Sequence, residues 1–301
     1  MAYPTGTFTG DSGDLDVFIP AVWGQKINEF YRANLVCANF FVDRSEEVTD
    51  GGNIVYTPNT TEISANAKSA ATAVTLNSPT ETSVTLTIDQ WYEASFAIED
   101  REAAIVKHSY QVMRSYAENA AYAIAKKLDT ALATLFSGFS QTVGSSTANV
   151  ADSDIRSAIA YLDAADVPEM DRAFFFHPNV FWEQLQGIDK FSLAINSPVQ
   201  DPVAKMPKAM LYGIPVYLTT QIQYVSGTTG RYNALAHKDA IHWATSPLGS
   251  GGSKGAVVGS NGIRVQASYI PDFLSTLVTA DILYGVIENR DTSGVAILSA
   301  E

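Results

Sequence analysis

The stretch from Asp43 to Phe136 constrains the fold most, because it runs from a polar β-arm directly into a long Ala-rich helix. Between residues 84 and 98, apolar and polar residues alternate, interrupted only at Gln90 and Trp91. The apolar positions are Val84, Leu86, Ile88, Tyr92, Ala94, Phe96 and Ile98, and the polar ones are Thr85, Thr87, Asp89, Glu93 and Ser95. A period of two is typical of a strand with one buried face, so the pattern predicts a strand with its even-numbered residues toward a core.

A second strand is predicted just before this one. Residues 53–57, Asn-Ile-Val-Tyr-Thr, follow a turn signal at Asp50-Gly51-Gly52 and offer a matching partner. The connecting stretch from Pro58 to Thr82 is rich in Thr, Ser, Asn and Ala and holds few large apolar residues. A two-stranded arm of this length is not stable alone in water. Since the chain offers no obvious spare surface, we expect the arm to lie against a neighbouring copy of the same protein.

The long helix is predicted from Glu99-Asp100 to Phe136, because its acidic start suits a helix N-terminus and Gly138 suits its end. About 38 residues at the standard rise span about 57 Å. A coiled coil is the alternative for so long a helix, but Ala and Tyr replace Leu and Ile at many seam positions. The pattern favours a helix packed across a sheet.

Beyond this junction the sequence alternates helix and strand signals, which indicates an α+β or α/β fold. Residues 1–17 read as an extended tail, and residues 137–150 as a polar loop at a subdomain boundary. Predicted helices are a short one opened by residues 18–23, one capped by Asp152-Ser153-Asp154 and running to Leu162, and one from Asn179 to Leu185 with Phe181, Trp182 and Leu185 turned inward. Predicted strands are residues 172–176, 213–218, 233–236, 263–269, 273–288 and 295–298. We expect the C-terminal strands to form the sheet beneath the long helix.

Composition narrows the function. A chain of 301 residues can form one large domain or two, and none of its apolar runs is long enough to cross a bilayer. Since the N-terminus lacks the pattern of a secretory signal, we expect folding in the cytoplasm. The net charge of −13 disfavours a general nucleic-acid binder, which needs a basic surface for phosphates. The single cysteine, Cys37, lies in an apolar context that favours a buried, inert thiol.

Catalytic and cofactor signals are weak, so we predict neither an enzyme nor a bound cofactor or metal. His237 and His242 lie five residues apart, which is not a helical ligand spacing. The Gly/Ser-rich run from Gly249 to Gly255 lacks the order of a phosphate-binding loop and favours a mobile or interface loop.

The order of elements along essentially the whole chain resembles that of the major capsid proteins of tailed bacteriophages, the HK97-type capsid fold. No short motif carries the likeness alone. The local features that resemble the family are Phe18-Ile19-Pro20 before a helix, residues 51–56 (Gly-Gly-Asn-Ile-Val-Tyr), residues 172–181 and Gly213-Ile214-Pro215-Val216. The resemblance implies an N-terminal arm (1–42), an extended β-hairpin loop or E-loop (43–90), a peripheral domain with the spine helix (91–140), an axial domain (141–260) and the C-terminal sheet of the peripheral domain (261–301).

The resemblance also implies a function. Copies would form the hexamers and pentamers of an icosahedral shell that encloses double-stranded DNA in a virion, after assembly in the host cytoplasm. Separate scaffolding, portal and decoration proteins are the implied partners, and the short tail before Phe18 favours separate scaffolding. The implied contact residues between subunits are Pro58, Asn59, Thr60, Lys68, Asn77 and Asn289. Some shells of this type covalently join a loop lysine to an asparagine of the next subunit, roles that would fall to Lys68 and Asn289.

Two alternatives remain open from the sequence. One is an encapsulin-type compartment shell with the same fold, which predicts enzyme cargo in place of a genome. The other is an α/β hydrolase or transferase, which predicts a pocket with convergent ionisable residues. Within the capsid reading, the apolar face from Tyr92 to Ile98 should pack on its own chain, while the polar tip between Pro58 and Thr82 should reach the neighbour.

Overall fold

In the computed structural model, the described residues form two six-stranded sheets and a separate two-stranded hairpin. The structure describes residues 35–48, 52–60, 62–101, 109–185, 188, 210–248, 257–258 and 262–301. The predicted tail, most of the first predicted helix and most of the Gly/Ser-rich run lie outside these residues. The α+β class predicted from the sequence is confirmed for the described part.

The strands, helices and turns of the described part have the following bounds. The strands are β1 (Val42–Asp43), β2 (Ile54–Asn59), β3 (Thr82–Thr87), β4 (Gln90–Glu99), β5 (Thr142–Gly144), β6 (Arg172–Phe176), β7 (Met210–Leu211), β8 (Ile214–Leu218), β9 (Arg231–His237), β10 (Ile241–Ser246), β11 (Val257–Val258), β12 (Arg264–Ile270), β13 (Ser275–Glu288) and β14 (Gly294–Ser299). The α-helices are a short helix (Cys37–Phe40), a long helix (Ser109–Thr134) and a middle helix (Asp152–Ala164). Single 3₁₀ turns are Ser45–Val48, Leu135–Ser137, Lys238–Ala240, Pro271–Phe273 and Asp291–Ser293, and Val180–Gln184 is a π-helical turn.

The first sheet is organised around β13. Its residues 275–281 pair with β12 on one side, and its residues 275–284 pair antiparallel with β4 on the other. The end of β13 pairs with β10, on the same side as β12, and β1 and β11 complete the sheet. This long central strand is the segment whose apolar run was predicted from Phe273 to Glu288.

The alternating segment from Val84 to Ile98 is divided between two strands with different partners. Residues 82–87 pair with β2, whereas residues 90–99 pair with β13, and the change occurs at Ile88-Asp89. The expectation of one continuous arm is therefore wrong in its second half, which belongs to the first sheet. The even-numbered face of β4 does pack on its own chain, because Phe96 lies 5.6 Å from Tyr116 of the long helix, measured between ring centroids.

The long helix packs across the first sheet, as its sequence predicts. Its buried stripe repeats every four residues, a spacing that places side chains on one helix face. The members of the stripe are Ala120, Ile124, Leu128 and Leu132, which share a core cluster with Ala280, Ile282 and Tyr284 of β13. The helix ends before Gly138, whose N–H donates to Leu135 O at 2.9 Å. Asp100 and Arg101 are helical, but residues 102–108 lie outside the described part, so continuity from Glu99 stays a prediction.

The second sheet has the strand order β5-β14-β9-β6-β8-β7. Its central strand β6 is buried on both faces: Phe174 and Phe176 face a core that includes Ile155 of the middle helix, whereas Phe175 faces the core of the long helix. The last strand, β14, pairs with β9 from Gly294↔Ala236 to Ser299↔Arg231. The expectation that this strand joins the sheet beneath the long helix is therefore wrong.

The turn after Pro178 corrects one predicted orientation. Phe181 and Leu185 are buried as expected, but Trp182 is 54% exposed. Phe181 and Leu185 are four residues apart and share one helix face, and Trp182 falls beside that face. None of the helices in the described ranges is long and apolar enough to span a membrane.

Candidate assembly interface

The base of the β2–β3 hairpin is anchored on its own chain. Val55, Leu86 and Ile88 form a small core with Val48 and Ala244. Half-buried Leu283 and Ile287 of β13 pack against this core, on the sheet face opposite the long helix. The expectation that the arm has no surface of its own to rest on is therefore wrong for its base.

A close approach of two backbones fixes the hairpin to the sheet. A Cβ atom added to Gly285 would lie 2.1 Å from the carbonyl oxygen of Thr87, far inside van der Waals contact. Glycine is therefore required at this position of β13, since any side chain would separate β3 from the sheet.

Beyond the base, residues 60–81 form a loop, which we call the tip loop, without a strand in its described part. Polar side chains tie it together. Asn77 donates from Nδ2 to Ser64 O at 2.6 Å and accepts at Oδ1 from Asn66 Nδ2 at 3.0 Å. The Lys68 ammonium donates to the carbonyl oxygen of Ser69 at 2.9 Å and to Thr72. These bonds shape the tip loop but bury little apolar surface.

Three large apolar side chains of the tip loop are exposed to solvent. Ile63 is 63% exposed, Val74 67% and Leu76 87%. Exposed apolar side chains concentrated in one segment are typical of an interaction surface. The tip loop thus combines internal polar ties with an apolar set that its own chain does not cover.

The residues predicted to contact another subunit fall in two places. Pro58 and Asn59 lie in β2, opposite Ser83 and Thr82 of β3. Thr60, Lys68 and Asn77 lie in the tip loop.

Asn289 is apart from this group, at the end of β13, where it is only 8% exposed. Its side-chain amide donates to Asp239 O at 3.2 Å within its own chain. The structure therefore does not bring Asn289 to the tip loop of the same chain.

Sequence reasoning missed Ile63, Val74 and Leu76. These three are the large aliphatic residues in the stretch from Pro58 to Thr82. The signal was available in the sequence, because three large aliphatic side chains stand out in an otherwise polar loop.

Cys37, His177 and His242 are buried in the described part of the chain. Cys37 is fully buried, and burial, with Asp129 adding to it, raises the pKa of its thiol well above the ordinary value. Asp129 accepts the backbone N–H groups of Cys37 at 2.8 Å and Ala38 at 3.1 Å, which fastens the short helix to the long one. Burial lowers the pKa of His177 and of His242. Within the described ranges, His, Cys, Asp and Glu side chains form no group of three that could hold a metal ion.

Comparison with solved structures shows the fold to be that of phage capsid proteins. A protein of Mycobacterium phage Che8 superimposes with a TM-score of 0.74 at 20% identity, over 93% of this chain and 97% of the other. A chain of the cyanophage P-SCSP1u capsid gives 0.74 at 14% identity, over 99% and 97%. A chain of the mature capsid of bacteriophage PhiM1 gives 0.71 at 11% identity, over 92% and 90%. The likeness extends over nearly the whole length of each chain.

At the level of sequence, no protein-family model and no curated protein matches the chain. The resemblance is therefore one of architecture, as the order of elements in the sequence predicts.

Proposed function

We propose that this chain is the major capsid protein of a tailed bacteriophage and assembles, as hexamers and pentamers, into the icosahedral shell of the virion. The observation that carries the proposal is the tip loop, which presents Ile63, Val74 and Leu76 uncovered on a chain with a capsid-protein fold. A shell subunit requires surfaces that only another copy completes.

The proposed domains are those of the HK97-type capsid fold. Residues 1–42 act as an N-terminal arm, 43–90 as the extended loop, 91–140 as the peripheral domain with its spine helix, 141–260 as the axial domain and 261–301 as the closing part of the peripheral domain. The strand pairing changes this division in two places: β14 pairs with β9 of the proposed axial domain, whereas β10 and β11, within residues 141–260, pair with β13 and β12 of the first sheet.

The contacts between copies are proposed to be non-covalent. Pro58, Asn59, Thr60, Lys68 and Asn77 would meet the next subunit together with the apolar residues of the tip loop. Burial of an aliphatic side chain contributes about 1.5–3 kcal/mol, so many weak contacts repeated around a shell give a stable particle. The net charge of −13 favours solubility before assembly and a wall that encloses DNA without binding its sequence. Scaffolding, portal and decoration proteins would be separate partners, and assembly would take place in the host cytoplasm.

Electron microscopy of the purified protein tests this proposal. The expected result is closed shells of uniform size, with double-stranded DNA inside when the particles come from infected cells. Shells that hold a protein cargo and no genome would support the encapsulin-type alternative. Small discrete particles under all assembly conditions would overturn both.

Denaturing electrophoresis of mature particles tests the covalent link between Lys68 and Asn289. The expected result is one band at the mass of the monomer, because Asn289 is buried in its own chain and Lys68 bonds its own loop. A ladder of multimers would contradict this expectation, and its loss in Lys68→Arg would then assign the link to Lys68.

A further inference from the structure

Three segments of the described chain connect the two sheets. The first described crossing (residues 137–141) joins the long helix to β5, the second (residues 238–240) joins β9 to β10, and the third (residues 289–293) joins β13 to β14. Any movement of one sheet relative to the other within the described part must bend these three crossings.

Hydrogen bonds tie the three crossings to one another. The backbone N–H groups of Asn289 and Arg290 both donate to Ala240 O, at 2.8 and 3.3 Å. Asp291 accepts the backbone N–H of Ser140 at Oδ1, at 2.7 Å, and the Ser140 hydroxyl at Oδ2. The third crossing is thus bonded to both of the others, and one carboxylate makes the link to the first.

A second carboxyl group lies against that carboxylate. Glu288, half-buried at the end of β13, is hydrogen-bonded through its side chain to Asp291. Its Oε2 atom lies 2.7 Å from the point where a Cβ on Gly138 would sit, so the side chain is wedged against the first crossing. Two carboxyl groups can share this hydrogen bond only if one of them carries a proton.

We propose that the Glu288–Asp291 carboxyl pair is a proton-controlled latch that stiffens the joint between the two sheets when it holds one proton and loosens it when both groups are ionised. With the proton present, Glu288 donates to Asp291, which remains an acceptor for Ser140. Without it, two carboxylates face each other beside the backbone of Gly138 and repel. Asp291 can then move away from Glu288 only by giving up its hydrogen bonds from Ser140.

The charge that acts on Glu288 is that of Asp291. The first crossing carries no titratable side chain. Those of the other two crossings and of the adjacent strand β10 are Lys238, Asp239, Arg290, Asp291 and His242. Burial first, and then the hydrogen bond and the charge of Asp291, raise the pKa of Glu288 to about 7 from an ordinary value of 4.5. The pKa of Asp291 is lowered overall, by its bonds to Ser140 and Glu288 against an opposing effect of burial.

The sign of the effect follows from these two pKa values. Below about pH 4.5 Glu288 is protonated in the folded and unfolded states alike, and the full stabilisation by the latch is present. Between about pH 4.5 and about 7 an unfolded Glu288 ionises before the folded one, so the folded joint loses stability as the pH rises. The latch is therefore closed in mildly acidic solution and open in mildly alkaline solution.

Hydrogen exchange read by mass spectrometry tests the latch on the purified full chain, in the same assembly state throughout. After correction for intrinsic rates, peptides covering residues 137–142 and 286–293 should lose protection by about tenfold or more between about pH 5.5 and about pH 8. Glu288→Gln, which keeps the shape and cannot ionise, should remove this pH dependence. Glu81→Gln, at an exposed glutamate of the tip loop, should leave it as in the wild type.

A direct titration of the wild-type chain needs no variant. Carboxyl ¹³C NMR with labelled glutamate should show one resonance, absent in Glu288→Gln, that titrates with a midpoint near 7. A midpoint below about 5 for Glu288 would overturn the proposal, since the pair would then hold no proton in the relevant range. Equal pH dependence of exchange in the wild type and in Glu288→Gln would overturn it as well.

Discussion

Replacing Ile63, Val74 and Leu76 together by serine is expected to abolish shell assembly and to leave the subunit folded. All three side chains are largely exposed in the single chain, so the folded subunit loses almost no buried apolar surface with them. Surface substitutions of this kind usually change the free energy of unfolding by no more than about 0.5 kcal/mol each. In a shell the same side chains would be buried against the next copy. Their replacement should therefore weaken the contact between subunits and leave the stability of the folded subunit unchanged.

The size of the expected effect follows from the area of apolar surface. Three aliphatic side chains buried at one contact contribute about 5 kcal/mol or more. Since each 1.4 kcal/mol is a factor of about ten, the affinity between neighbours should fall by about a thousandfold or more. Each subunit makes this contact, so the concentration needed for assembly rises beyond any practical value.

Light scattering and electron microscopy measure assembly, and circular dichroism and thermal unfolding measure the fold. The matched control replaces Ala65, Ala67 and Ala73 of the same loop by serine, which introduces as many hydroxyl groups but removes much less apolar surface. The control should assemble with the yield of the wild type. Normal shells from the Ile63/Val74/Leu76 variant would show that the tip loop is not a contact between copies.

Local patterns predicted the elements well where one face of an element is buried. The alternation around Phe96 and the four-residue repeat through Leu128 both depend on neighbours in sequence, and both gave the right element. The strand β10 was missed, because Ile241–Thr245 is buried throughout and shows no alternation.

Which strands pair with one another was harder to predict, because pairing depends on parts of the chain that are distant in sequence. The alternation from Leu86 to Ala94 lapses at Gln90 and Trp91, where β4 begins, but this lapse alone does not show that pairing passes from β2 to β13. In the same way, Val295 to Leu298 reads as a strand, but its place beside β9 is set by the path of the chain through the joint. The proposed contact surface was partly predictable. Leu76 stands out in the sequence as a large apolar residue in a polar loop, but only the structure shows that its side chain is exposed.

Phe175→Ala is expected to be the most destabilising single substitution argued from this structure, because its ring joins the core of the second sheet to that of the first. Phe175 is fully buried, and its ring centroid lies 5.3 Å from those of Phe40 and Phe136, 5.4 Å from Phe41 and 5.7 Å from Tyr217. Truncating a buried phenylalanine costs about 3–5 kcal/mol, a large share of the 5–15 kcal/mol by which domains are typically stable.

Urea unfolding of the unassembled subunit measures this loss, and Phe273→Ala is the matched control. The same side chain is removed there, but Phe273 is 73% exposed at the turn before β13, so the free energy of unfolding should change by no more than about 0.5 kcal/mol. The midpoint should therefore fall sharply for Phe175→Ala and stay near the wild type for Phe273→Ala. Equal losses in the two variants would contradict the placement of Phe175 at the centre of the core. If the two sheets unfold as one body, circular dichroism and tryptophan fluorescence should report the same urea midpoint in each variant, since two-state unfolding gives coincident transitions.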